Sequence, residues 1–217
     1  MPAHPSALDL APRRALARDL RQRLVAAARP LALALALTST VAEAAPPKLA
    51  ADEQTRLDKG EVLVKRVKPT GDKGVAAKAV AIVRAHPDRV WAAVNDCTHF
   101  KDFMPRTTKS VESEDGRVCR VEVSMPFPLS DLWSETRVVQ TFLDDGGRRR
   151  SWTLQAGTYD HLVGSWTVYP HGDTHTLLLY AIDANPTVSV PDFVLRNAQE
   201  GTLPDIFAAI RKYTGAE

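Results

Sequence analysis

The segment His171-Gly-Asp-Thr-His175 places two imidazoles and a carboxylate at a spacing that could hold a metal ion. It straddles a Gly-Asp turn signal and has no third ligand beside it, so it reads as a solvated hairpin turn and no metal is expected. Asp160-His161 is a similar loop pair. Asp131 and Glu135 could act as paired carboxylates only if a bulge turned both to one face of a strand. The chain has no Gly-x-Ser-x-Gly elbow, no His-Glu-x-x-His helix and no phosphate-cradling glycine loop. No catalytic residue and no cofactor are assigned on this basis, and the weight lies with binding over catalysis. Cys97 and Cys119 could close one disulfide loop, or could simply be small buried apolar residues.

The elements that must position these residues change period along the chain. Residues 45–50 read as a tether and 51–60 as a short helix stopped by Gly60. "EVLVKRVK" and "VAAKAVAIVRA" alternate as strands, and "PDRVWAAVND" opens a helix at Pro87 with Val90, Trp91 and Val94 at helical spacing. A short polar segment follows that carries Phe100, Phe103 and Met104 and stops at Pro105. From there the period is two, with strands expected at 107–114, 117–125, 132–143, 148–156, 162–169 and 174–184, separated by Gly- and Asp-rich turns. Arg148-Arg149-Arg150 follows one of these turns and reads as solvated, contact with anionic headgroups being the lesser reading. The last segment puts Leu195, Ala198, Leu203, Ile206, Ile210 and Tyr213 on one stripe of a long helix, with a kink expected near Gly201 because of Pro204.

The chain has 217 residues, 44% hydrophobic, enough for a well-buried core. Six arginines precede "PLALALALTSTVAEA", an apolar run followed by small residues, which is the order of a secretory leader with cleavage expected near Ala44. The sequence therefore predicts a leader at 1–44, a linker and short helix at 45–60, and one domain at 61–217. Export would place that domain in the periplasm or cell envelope. The net charge of +2 belongs to the leader, since the remainder holds 22 basic and 23 acidic side chains. A nearly neutral domain has no bulk electrostatic reason to bind nucleic acid.

A strand ending before a Pro-initiated helix, Asp96 closing that helix, the Phe100-x-x-Phe103-Met104-Pro105 segment, Gly164-Ser165-Trp166 in a late strand and the closing "VPDFVLRNAQEGTLPDIFAAI" together resemble the START-like, helix-grip superfamily. Within it the likeness is to polyketide cyclase and coenzyme Q-binding-like proteins, over about residues 75–217. The resemblance implies an α+β fold: a curved antiparallel sheet of about seven strands around a long C-terminal helix, with the strand at 61–68 as an extra N-terminal one. It implies that Phe100, Phe103 and Met104 point into the groove under that helix, the competing reading being that they plug the core. Alternate strand residues would line the interior: Cys119, Val121, Val123 and Met125, then Trp152 and Leu154, then Trp166 and Tyr180. Trp133, Tyr159, Tyr180 and Asn197 are candidate polar anchors, and Ile206 and Ile210 the helix contribution. Such a lining suits a lipid or isoprenoid quinone, held by an exported protein with transient membrane contact. A cyclase or hydratase acting on a polyketide-like substrate in the same cavity is the first alternative. An envelope module with a filled core is the second, and a cavity well below about 300 Å³ would favour it.

Overall fold

The computed structural model describes residues 46, 48–71, 74–188, 191 and 201–216. The leader, the residues before Gly201 in the C-terminal segment and Asn197 lie outside the described residues, as does Glu200, whose carbonyl bears on the expected kink.

Helix α1 (Ala51–Asp58) ends before Gly60, whose φ of 87° is the left-handed conformation that glycine adopts without strain. Strands β1 (Leu63–Val67) and β2 (Val75–Val83) pair antiparallel. Helix α2 (Pro87–Asn95) follows with Pro at its first turn, then a 3₁₀ turn (Cys97–His99) capped by Asp96 Oδ1, which accepts from Thr98 N–H at 2.8 Å. Helix α3 (Phe100–Phe103) is a single turn. A meander of β3 (Thr107–Glu112), β4 (Val118–Val123), β5 (Leu132–Phe142), β6 (Arg148–Gly157), β7 (Tyr159–His171) and β8 (His175–Pro186) leads to α4 (Leu203–Tyr213). The described strands form one antiparallel sheet in the order β1-β2-β8-β7-β6-β5-β4-β3, the expected helix-grip arrangement with β1 as the extra edge strand.

Alternation sorts the side chains onto two faces. On the concave face Ala77, Ala79 and Ala81 of β2 meet Trp166 and Val168 of β7, Leu178 of β8, Val90 and Val94 of α2, and Leu203, Phe207 and Ile210 of α4. The three alanines are small, so the helix lies close to the sheet there. On the convex face Leu57 of α1 seals a second cluster with Ile82, Leu143, Tyr169 and Leu177. This gives the N-terminal extension a packing role. Tyr213, placed on the apolar stripe by its spacing, is 45% exposed.

Cys97 and Cys119 form a disulfide between the 3₁₀ turn and β4, with Cα atoms 6.2 Å apart and a sequence separation of 22. Closing a loop of that length constrains the unfolded chain by about 3 kcal/mol. The Cys97→Ser/Cys119→Ser variant is expected to lose about that much stability in urea denaturation. A midpoint unchanged from that of the oxidised wild type would show that the tether adds nothing.

The arginine run departs from its reading as a solvated turn. Arg148 starts β6 and pairs with Asp88 at 2.6 Å, Arg149 donates to Thr167 Oγ1 at 3.2 Å, and Arg150 is 2% exposed. The ladder forces this result, because Arg150 lies two residues before the inward-facing Trp152 and so shares its face.

Candidate functional site

The concave face is not filled along its whole length. Toward the end where the β4–β5 loop, the β6–β7 turn and the last residues of β8 meet, the wall retreats from α4 and leaves a cavity of about 350 Å³. Four features of the sequence produce it. In β4, Cys119, Val121 and Val123 point inward, and Met125 follows in the loop. In β5 the inward positions are Leu132, Ser134, Thr136 and Val138. Cross-strand rows Arg150–Trp166–Tyr180 and Trp152–Gly164–Ile182 floor the middle. The first turn of α4, with Thr202 before it, contributes Leu203 and Ile206 as a roof.

Gly164 is required in this floor. A Cβ there would lie 2.3 Å from Trp152 Cζ2 and 2.7 Å from the Ala181 carbonyl oxygen, so the indole rests directly on the bare backbone. Trp166 packs against Tyr180, with ring centroids 4.3 Å apart, and edge-on to Phe207 at 5.9 Å.

The structure brings together most of the residues named from the sequence. Phe100, Met104, Val121, Val123, Met125, Trp152, Tyr159, Trp166, Tyr180 and Ile206 all line the cavity. Three others do not. Phe103 turns away to stack on Tyr213, with ring centroids 4.2 Å apart, so it holds α3 to α4 and plugs the core. Trp133 is on the outer face, under the Arg120 guanidinium at 4.3 Å, because β5 turns its even-numbered residues inward. Ile210 is fully buried one turn beyond the cavity. Leu154, also expected inside, is half-buried and not part of the lining. Phe207 completes the helical stripe between Leu203 and Ile210 and was not anticipated; the i, i+4 spacing from Leu203 carries that signal.

The acid–base candidates disperse. A bulge does occur at Glu135/Thr136, but the lining takes Ser134 and Thr136 while Asp131 Oδ1 accepts from Met125 N–H at 3.0 Å. His171 and His175 pair across the β7–β8 hairpin. His161 and Asp183 approach to 3.5 Å from adjacent strands.

Beside the indoles of Trp152 and Trp166, the polar side chains of the lining are Arg150, Tyr159, Tyr180 and four hydroxyls, of Thr107, Ser134, Thr136 and Thr202; no carboxylate or imidazole is among the described lining residues. Thr136 Oγ1 donates to the Cys119 carbonyl at 3.2 Å. Burial pushes the Tyr159 phenol up to about 12, and burial together with the neighbouring Tyr159 raises Tyr180 further. Both phenols are therefore neutral hydrogen-bond donors at physiological pH.

Phenols in the unfolded chain lose their protons near pH ~10 while the folded ones keep theirs, so alkali favours the unfolded state. Stability from these two groups is intact below about pH 9 and falls between about pH 10 and 12, by up to about 1.4 kcal/mol per pH unit for each phenol. Urea midpoints recorded across this range should fall as the pH rises. A midpoint unchanged between about pH 10 and 12 would contradict the burial of both rings.

Comparison with known proteins agrees with this geometry. The family model described as polyketide cyclase / dehydrase and lipid transport matches residues 83–211. No curated protein matches the chain by sequence. Among solved structures, a STAR-related lipid transfer protein from Xanthomonas axonopodis aligns with a TM-score of 0.61 at 18% identity, covering 71% of this chain and 93% of its own. A START superfamily protein from Mycobacterium smegmatis aligns with a TM-score of 0.52 at 20% identity, covering 64% of this chain and 97% of its own. Human StAR-related lipid transfer protein 5 aligns with a TM-score of 0.54 at 14% identity, covering 76% and 92%. At such identities the likeness is one of fold.

Proposed function

Since the chain belongs to the polyketide cyclase / dehydrase and lipid transport family, we propose that it is an exported binding protein carrying a hydrophobic small molecule, a lipid or isoprenoid quinone, between sheet and C-terminal helix. The observation that carries this reading is the cavity itself: about 350 Å³, walled mainly by aliphatic and aromatic side chains. Burying ten methylenes of a ligand there would contribute about 8 kcal/mol before ordering costs. Binding needs no chemistry.

Export is supported by the leader-like residues 1–44 and by the Cys97–Cys119 disulfide, a bond that persists in oxidising compartments. No helix among the described residues is long and apolar enough to cross a membrane. Transient membrane contact is supported by Phe127, 97% exposed in the β4–β5 loop whose two ends, Met125 and Leu132, line the cavity. An exposed phenylalanine at the rim is placed to enter a bilayer while a ligand passes. Cyclase-type chemistry would need a base poised near neutrality, and the described lining offers phenols held protonated instead.

The test is extraction from membranes. The purified full-length protein is incubated with phospholipid vesicles containing ubiquinone, re-isolated and extracted with solvent. Recovery of quinone or phospholipid near one molecule per chain is expected. Protein that returns with neither would overturn the carrier reading.

A further inference from the structure

The cavity wall differs from side to side. On one side Val121 and Val123 of β4 join Phe100 and Met104 at α3, and every one of these side chains is apolar. The β7–β8 side carries two phenols, Tyr159 and Tyr180. A bulge produces the first of them. The register shifts between Tyr159 and His161, so one extra residue in β7 turns Tyr159 to the inner face, although the inward positions farther along the strand, Leu162 and Trp166, are even-numbered. Tyr180 faces inward by parity with Ile182 and Ala184. Beyond burial, the Tyr180 phenol is raised by Tyr159, so the two groups lie within electrostatic reach of each other. Among the described residues neither hydroxyl has a hydrogen-bond partner, and neither oxygen is sealed under protein atoms. Both donors are therefore open to whatever fills the cavity.

A charged occupant is disfavoured. Arg150 is the one charged side chain of the described lining, and it is 2% exposed and paired with Glu112 at 2.9 Å. A carboxylate would enter the cavity without an open cation to meet it, and an ammonium without an open carboxylate. A hydrocarbon would leave both phenols unmatched.

We propose that the ligand is an uncharged amphiphile whose carbonyl head accepts hydrogen bonds from the Tyr159 and Tyr180 hydroxyls while its apolar chain lies against Val121 and Val123. The inference rests on the binding reading and gives that ligand its head group and its direction in the cavity. A carbonyl oxygen has two lone pairs and can take both donors. The wall opposite the phenols offers the chain only apolar contact.

The full-length wild type and the Tyr159→Phe/Tyr180→Phe variant are titrated near neutral pH with 2-nonanone, nonane, nonanoate and nonylamine, following the fluorescence of Trp152 and Trp166 in the cavity wall. Phenylalanine removes the two hydroxyls and keeps both rings, so the packing of Trp166 on residue 180 remains. The variant is expected to bind 2-nonanone about tenfold more weakly than the wild type and nonane within about twofold of it. The infrared carbonyl stretch of 2-nonanone bound to the wild type should lie below its value in hexane, as for a hydrogen-bonded ketone, and return toward that value in the variant. Unchanged ketone affinity in the folded variant, a hexane-like stretch in the wild type, or tightest binding of nonanoate or nonylamine would overturn the proposal while leaving a hydrophobic carrier intact. Failure of every probe to bind the wild type would contradict the carrier reading as well. Should the variant not fold, the stretch in the wild type decides.

Discussion

Arg150→Met is expected to lower stability by about 3–5 kcal/mol. The cause is the partner left behind. Glu112 is 10% exposed and faces Arg150 at 2.9 Å, so removing the guanidinium strands a carboxylate in a low-dielectric wall. The Asn95 carbonyl at the end of α2 loses its donor at the same time. Arg150→Met/Glu112→Gln removes both charges and should recover most of the loss, because an apolar replacement of a whole buried pair is often close to neutral. Urea denaturation of the two variants measures the difference directly. A single variant as stable as the wild type would mean that Glu112 reaches water or another cation, and the buried pair would have to be abandoned.

Ile206→Glu is expected to reduce ligand uptake by a hundredfold or more, about 2.7 kcal/mol, with the fold retained. Ile206 sits on the first turn of α4, half-buried, and its side chain forms part of the cavity roof. A carboxylate there replaces apolar contact with a group that must stay hydrated. Ile206→Leu, of equal volume, should bind as the wild type does. Phe103→Ala makes the informative contrast, since Phe103 stacks on Tyr213 and does not line the cavity. It should cost stability and leave uptake nearly unchanged. If Ile206→Glu took up ligand normally while folded, the site would lie elsewhere than beneath α4.

The strand positions and the meander were legible because period-two alternation and turn residues recur from 107 to 184, while the place of the first two strands came with the family resemblance. The lining was legible where hydropathy and direction agree, as in Val121, Val123, Trp152 and Trp166. It failed in β5, where the pattern is inverted. Ser134 and Thr136 face the cavity while Trp133 is outward and Val139 is 51% exposed, so hydropathy alone points to the wrong face. The Trp133 ring tolerates its place because the Arg120 guanidinium covers it.

Arg150 was hidden for another reason. Its partners are Asn95 and Glu112, 55 and 38 residues earlier, and no local pattern marks a pairing over that distance. Parity with Trp152 held the clue, but a run of three arginines after a Gly-Gly turn resembles a solvated edge. The disulfide was equally nonlocal. Two cysteines permit a bridge, and only the packing of the 3₁₀ turn on β4 brings their Cα atoms to 6.2 Å.

Native mass spectrometry of the protein, expressed from the full chain, purified from the producing cell and followed by solvent extraction, tests the claim of a ligand-filled cavity most directly. That claim predicts a stoichiometric adduct of a hydrophobic small molecule that is lost in Ile206→Glu. A clean apo mass from protein that also takes up nothing from quinone-containing vesicles would contradict it.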